Sequence, residues 1–209
     1  FFLNLMEHLA ARGLACPQPI RDRAGVALGA LCGRPAVIVT FLEGVSVKRP
    51  GIDHCNALGR ALAGLHASGA YFGMRRTNDL SVDAWEPLFR IAEPHADTIS
   101  PGLTNRVLGD LLMLQTSWPS GLPSGVIHAD LFTDNVFFIG DELSGLIDFY
   151  FACTDAFAYD LAICLNAWCF EADGTFHRDM GAALIAGYEA VRPLVSAEIT
   201  ALPILCRGA

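Results

Sequence analysis

At 209 residues the chain is long enough for one large domain or two small ones with a sizeable core. Its composition is 53% hydrophobic and only 17% charged, which excludes a disordered chain. Its 22 acids against 14 bases, net −8, leave no basic face for nucleic acid. Cysteines at 16, 32, 55, 153, 164, 169 and 206 form no C-x-x-C pair and sit mostly among apolar neighbours. That pattern argues against a disulfide framework or zinc site and fits reduced thiols in a cytoplasmic protein. The most apolar long run, "AFAYDLAICLNAWCF", carries Asp160 and is too short to span a bilayer.

In chain order, Leu3, Met6, Leu9 and Ala10 followed by Gly13 predict an amphipathic helix over 1–13 with a glycine stop. "CPQPI" is an extended exit. Two strand-like runs, about 26–32 and 35–42, are joined by "CGRP" as a hairpin. The β-branched "AVIVTFLEG" predicts a strand buried on both faces. "VKRPG" then separates a small α+β section, 1–47, from a mainly helical part, 48–209.

Leu58, Leu62 and Leu65 predict a helix through "IDHCNALGRALAGLHASG". Ser81 is the N-cap expected for "SVDAWEPLFRIA". Ser100 and Pro101 are the start expected for "SPGLTNRVLGDLLMLQTSW". Strands return at 125–128, 136–139 and 145–149, the last two joined by "GDELS". Helices resume at about 156–170, 179–191 and 196–206.

Chemistry concentrates in "GVIHADLFTDNVFF", where H-x-D-x-x-x-x-N interrupts two apolar strands. Asp130 is placed to accept a proton from an attacking hydroxyl, and Asn135 offers a neutral oxygen ligand. Asp148 ends an apolar strand, "SGLID", where a carboxylate is costly unless paired or bound to metal. Few, hard oxygen ligands suit Mg²⁺, which takes its remaining ligands from water and phosphate. A base with two such ligands on adjacent loops is what phosphoryl transfer to an alcohol needs. Each residue alone also has a plainer reading, as a strand-end cap. H-x-D could also be half of a metallohydrolase site, but no H-x-x-x-H spacing supplies the rest.

The loop and "LIDFY" resemble the catalytic and metal-binding loops of the aminoglycoside phosphotransferase and choline kinase superfamily, with its protein-kinase-like fold. The stretches "LMEHLAARGL", "VIVTFLEG" and "LIDFYFACTDAFAYDLAICLNAWCFE" extend the likeness, within that superfamily, to the bacterial homoserine kinases. The resemblance implies a two-lobe α+β fold and ATP- and Mg²⁺-dependent phosphorylation of L-homoserine in threonine biosynthesis. Asp130 would be the catalytic base, and Asn135 and Asp148 would hold Mg²⁺. His128 would fix the loop and Asp160 would anchor it from a following helix. Phe41, Leu42 and Glu43 would form the hinge that meets adenine.

Less specific polar residues are His66, read as structural, and Glu7, whose position does not match the family's helix glutamate. Asp155, Asn166, Trp168 and Glu171 flank the loop as candidates for amino-acid contacts. No G-x-G-x-x-G or G-x-x-x-x-G-K-[ST] occurs, and the sole lysine is Lys48. With Phe1 inside a helical pattern and "LCRGA" inside another, the chain is expected to be an interior piece of a longer protein. Its phosphate loop and lysine would then lie upstream. Alternatives are a kinase for another small alcohol, such as an aminoglycoside or choline, and a non-catalytic nucleotide-binding fragment.

Overall fold

A computed structural model describes residues 1–171 and 173–209. Helix α1 (Phe2–Ala10) buries Leu5, Met6 and Leu9, the face its spacing predicts. Strands β1 (Gly29–Leu31) and β2 (Arg34–Ala36) form the expected hairpin, in register Gly29↔Ala36. Cys32 and Gly33 both take positive φ, 51° and 75°, as a two-residue turn matching strand twist requires.

The doubly buried strand over "AVIVTFLEG" is not there. Beyond Ala36 the segment makes one bridge, Pro19↔Val39, flanked by hydrogen bonds between residues 18–20 and 38–40. Ile38 and Phe41 are 71% and 88% exposed. The β-branched run sets an extended backbone, but no described element covers its outer face. Strand β3 (Val45–Ser46) pairs instead with β5 (Val136–Ile139), which pairs with β6 (Glu142–Leu146) in a three-stranded antiparallel sheet.

Helix α2 (Ile52–Gly69) is the central element of the larger cluster of buried residues. It packs backbone to backbone on α6 (Arg178–Glu189): a Cβ at Gly59 would strike the Leu184 carbonyl, and one at Gly187 the Asn56 carbonyl. Helix α3 (Val82–Ile99) starts after Ser81 as expected, though the serine side chain makes no capping bond, and it runs through Pro87 and Pro94. The next helix, α4 (Leu103–Ser117), begins two residues later than expected. Ser100 ends α3, and Gly102 (φ 77°) sits at the N-cap. Asp97 Oδ1 accepts from Thr104 N at 2.8 Å, so the cap comes from the preceding helix.

Strand β4 (Ser124–Ile127) pairs antiparallel with β7 (Cys153–Ala156), a strand not predicted from sequence. Helices α5 (Phe157–Trp168) and α7 (Ser196–Gly208) complete the smaller core around Ile127, Cys153 and Leu205. Among the described residues, no helix is long and apolar enough to cross a membrane. The strand pairs β4–β7 and β5–β6 place two loops side by side, and those loops carry the chemistry.

Candidate active site

Strand β4 delivers His128, fully buried, at its end. Ala129 follows in a left-handed conformation, φ 63°, which a non-glycine residue adopts only at a cost of order 1 kcal/mol or more. The side chain that holds it there is Asp160, in the first turn of α5. Its Oδ2 accepts from His128 N at 2.8 Å and its Oδ1 from Ala129 N at 2.9 Å. Oδ2 also accepts from His66 Nε2 at 3.0 Å. These hydrogen bonds outweigh burial and keep the Asp160 carboxyl below its ordinary range.

His66 is in turn oriented. Its Nδ1 lies 2.7 Å from the Tyr188 hydroxyl, which accepts from Arg192 Nη1 at 3.1 Å. With the His66 Nε2–H facing Asp160, the contacts form one chain, Arg192 to Tyr188 to His66 to Asp160. Arg192 also lies 3.0 Å from Glu198 Oε1, as an ion pair without a directed hydrogen bond.

Past the strained alanine stands Asp130. Asn135, buried in a single 3-10 turn (Thr133–Asn135), donates Nδ2 to Asp130 O at 2.7 Å and to Asp130 Oδ2 at 3.0 Å. Burial pushes the Asp130 carboxyl upward, and the charges of Asp148 and Asp134 add to the shift. Asp148 is therefore near enough for its charge to act on Asp130. The route is visible in the backbone: His128 Nε2 donates to Ile147 O at 3.0 Å, and Ile147 N donates to Asn135 O at 3.0 Å. The residue before Asp148 is clamped on both sides.

Asp148 departs from its sequence reading in one respect. Strand β6 ends at Leu146, and Asp148 itself is exposed, in a left-handed conformation (φ 61°, ψ 65°). Burial is therefore not what makes its charge informative; its nearness to Asp130 is. Among the described residues, no three His, Cys, Asp or Glu side chains gather as a metal site. The available donors are the Asp148 carboxylate and Asn135 Oδ1. So small a set of hard oxygens fits Mg²⁺ that completes its shell with water and phosphate.

The hinge candidates Leu42 and Glu43 contact β6. Glu43 O accepts from Ser144 Oγ at 2.7 Å, Leu42 covers Gly145, and Phe41 projects into solvent. The segment is thus tied to β6, the strand that leads to Asp148. Glu7 pairs with Arg21 at 2.7 Å. Trp168 is buried and donates to Leu131 O, Asn166 donates to Cys206 O, and Glu171 is exposed. Of the four flanking candidates, only Asp155 lines a described cavity, through its bond to Asn78.

Sequence reasoning missed the residues beside Asp130. A cavity of about 500 Å³ is walled by Asp130, Phe132 and Tyr150 and, from the loop between α2 and α3, by Arg76 and Asp79. The only sequence signal was the polar "RRTND" between two helices, which is also what an ordinary surface loop looks like.

Over its full 209 residues the chain is 75% identical to a homoserine kinase of Methylobacterium radiotolerans and 58% identical to one of Brucella anthropi. It spans 65% and 64% of their lengths. In three dimensions it is similar to a type VIII aminoglycoside-3'-phosphotransferase (22% identity, TM-score 0.66, 98% of this chain and 77% of that one). It is also similar to an amicoumacin kinase (16% identity, TM-score 0.72, 98% and 65%). Residues 1–194 match the profile of the Phosphotransferase enzyme family, and the chain belongs to that family.

Proposed function

We propose that this chain carries the catalytic loops of an ATP- and Mg²⁺-dependent kinase that phosphorylates the side-chain hydroxyl of L-homoserine. The observation that carries the chemistry is the grouping of Asp130, Asn135 and Asp148 on two loops clamped through Ile147, beside a cavity that fits a small alcohol. The choice of alcohol is supported by the homoserine kinases, up to 75% identical along all 209 residues.

In this reading Asp130 orients the substrate hydroxyl and takes its proton as the oxygen bonds to the γ-phosphorus. The bond from that phosphorus to the β–γ bridging oxygen breaks, and ADP leaves with the electron pair. Asn135 Oδ1 and Asp148 hold Mg²⁺, which when bound neutralises charge on the triphosphate. The Asn135 amide keeps the Asp130 carboxylate from rotating away. Asp160 holds Ala129 in its left-handed turn, so that Asp130 is presented rather than searching for its position. Phe41, Leu42 and Glu43 supply backbone groups to the adenine.

The test is ADP release by the intact protein with L-homoserine, choline and kanamycin as separate acceptors. The expected result is turnover dependent on Mg²⁺ and highest with L-homoserine. Preferential use of choline or kanamycin, or no release above background with any acceptor, overturns the reading.

A further inference from the structure

A kinase for an amino-acid alcohol must recognise two opposite charges about one carbon apart, at the end of the molecule that does not react. The cavity beside Asp130 contains such a pair. Among the described residues on its wall Arg76 is the only cation, and Asp79 lies against it, Nη2 to Oδ2 at 2.7 Å. Leu80, Phe132, Tyr150 and Phe151 fill the wall with apolar surface, suited to a short methylene chain.

Arg76 is held in place before any ligand arrives. Its backbone continues the sheet, with Thr154 N donating to Arg76 O at 2.7 Å and residue 77 bridging to Thr154. Its Nη1 donates to Ala152 O at 3.3 Å, and its guanidinium lies 5.3 Å over the Phe2 ring. These bonds use two of its five N–H donors and leave three, enough for a bidentate carboxylate. The side chain is 30% exposed, so the charge is partly desolvated yet reachable. Asp79 Oδ1 accepts no hydrogen bond among the described residues. The loop between them is fixed by Asn78, which donates to Asp155 at 2.7 Å and accepts from Leu80 N at 3.0 Å.

We propose that Arg76 and Asp79 form the specificity subsite for the zwitterionic end of the substrate, Arg76 taking the carboxylate and Asp79 the ammonium. The inference rests on the reading of L-homoserine as acceptor and deepens it. It also explains exclusion. A polycationic aminoglycoside meets the fixed Arg76 charge, and choline offers that charge no partner.

The test pairs each substitution with a substrate lacking the group it is assigned to. In the intact protein, kcat/KM is measured for Arg76→Gln and Asp79→Asn with L-homoserine, 3-aminopropan-1-ol and 4-hydroxybutyrate. Arg76→Gln is expected to cost about tenfold to a hundredfold on L-homoserine. Its penalty on 3-aminopropan-1-ol, which has no carboxylate, is at least about tenfold smaller, and Arg76→Lys recovers part of the loss. Asp79→Asn shows the same contrast between L-homoserine and 4-hydroxybutyrate. Where a truncated alcohol is not turned over, its Ki against L-homoserine replaces kcat/KM. Equal penalties across either pair mean a structural role and overturn the subsite alone. Absence of L-homoserine turnover by the unsubstituted protein overturns the functional reading, and the subsite with it.

Discussion

The Asp160 carboxylate grips the backbone N–H of His128 at 2.8 Å and of Ala129 at 2.9 Å, the two residues that lead into Asp130. Asp160→Asn keeps the shape but replaces one acceptor with a donor facing an N–H or a histidine. Losing one partner of a buried charged network costs about 3–5 kcal/mol. Turnover of the fraction that remains folded should also fall at least tenfold, because Ala129 loses what holds its left-handed turn. Thermal unfolding together with kcat per folded molecule checks both. Unchanged kcat would confine Asp160 to stability.

Asp130 is under opposite pressure. Burial and the neighbouring Asp148 and Asp134 charges raise its pKa, so its ionised form is destabilising in the fold. Asp130→Asn removes that charge and should leave the protein as stable as before or more so. Activity should drop about 10²–10⁴-fold with loss of the base. The opposite signs are the point of the experiment. A loss of both stability and activity would show a residue kept for packing.

The contact of α2 with α6 gives a pair of predictions on a single helix. At Gly59 a Cβ would strike the Leu184 carbonyl and approach Tyr188 N to 2.8 Å, backbone that cannot yield cheaply. Gly59→Ala should destabilise by about 1–3 kcal/mol. Five residues on, Gly64 has open space within 4 Å, and Gly64→Ala should stabilise by about 0.5–1 kcal/mol through helix propensity. Urea midpoints of both variants give the comparison; the same sign for the two would refute the close-packing argument.

Much of this architecture could be read along the chain, and what could not has physical causes. Helices α2, α6 and α7 bury residues at helical spacing, α5 is a nearly continuous apolar run, and the grouping of Asp130 with Asn135 is local, closed by a bond between residues five apart. The buried strand over "AVIVTFLEG" failed because β-branched composition reports extended backbone, not what lies on its two faces. Strand β7 was missed because "CTDA" has no alternation to show. Arg76 and Asp79 gave no signal beyond the polar "RRTND", because contacts to residues 152–155, some 75 residues away, bring that loop to the cavity. His66 illustrates both sides: its structural assignment from sequence is compatible with its burial, but its bond to Asp160 joins residues 94 apart.

His128 and Asp160 together set the response to acid. Burial pushes the His128 pKa below its ordinary value, although the Asp160 charge opposes the shift. Geometry gives the reason: Nε2 already donates to Ile147 O, and Nδ1 is buried with no partner, so a second proton there would be an unsatisfied donor. The unfolded chain takes up this proton as pH falls through about 6.5, whereas the folded chain resists it. The unfolded state then binds more protons, and stability declines as pH drops below that point. Asp160, whose folded pKa is depressed, contributes stability above the ordinary carboxylate range and loses it only at lower pH, as its own folded pKa is crossed. Urea midpoints should therefore fall in two stages, the first between about pH 7 and 5. In His128→Gln, whose amide can still donate to Ile147 O, the first stage should flatten while the second remains. A first stage unchanged in that variant would assign the titration to another group.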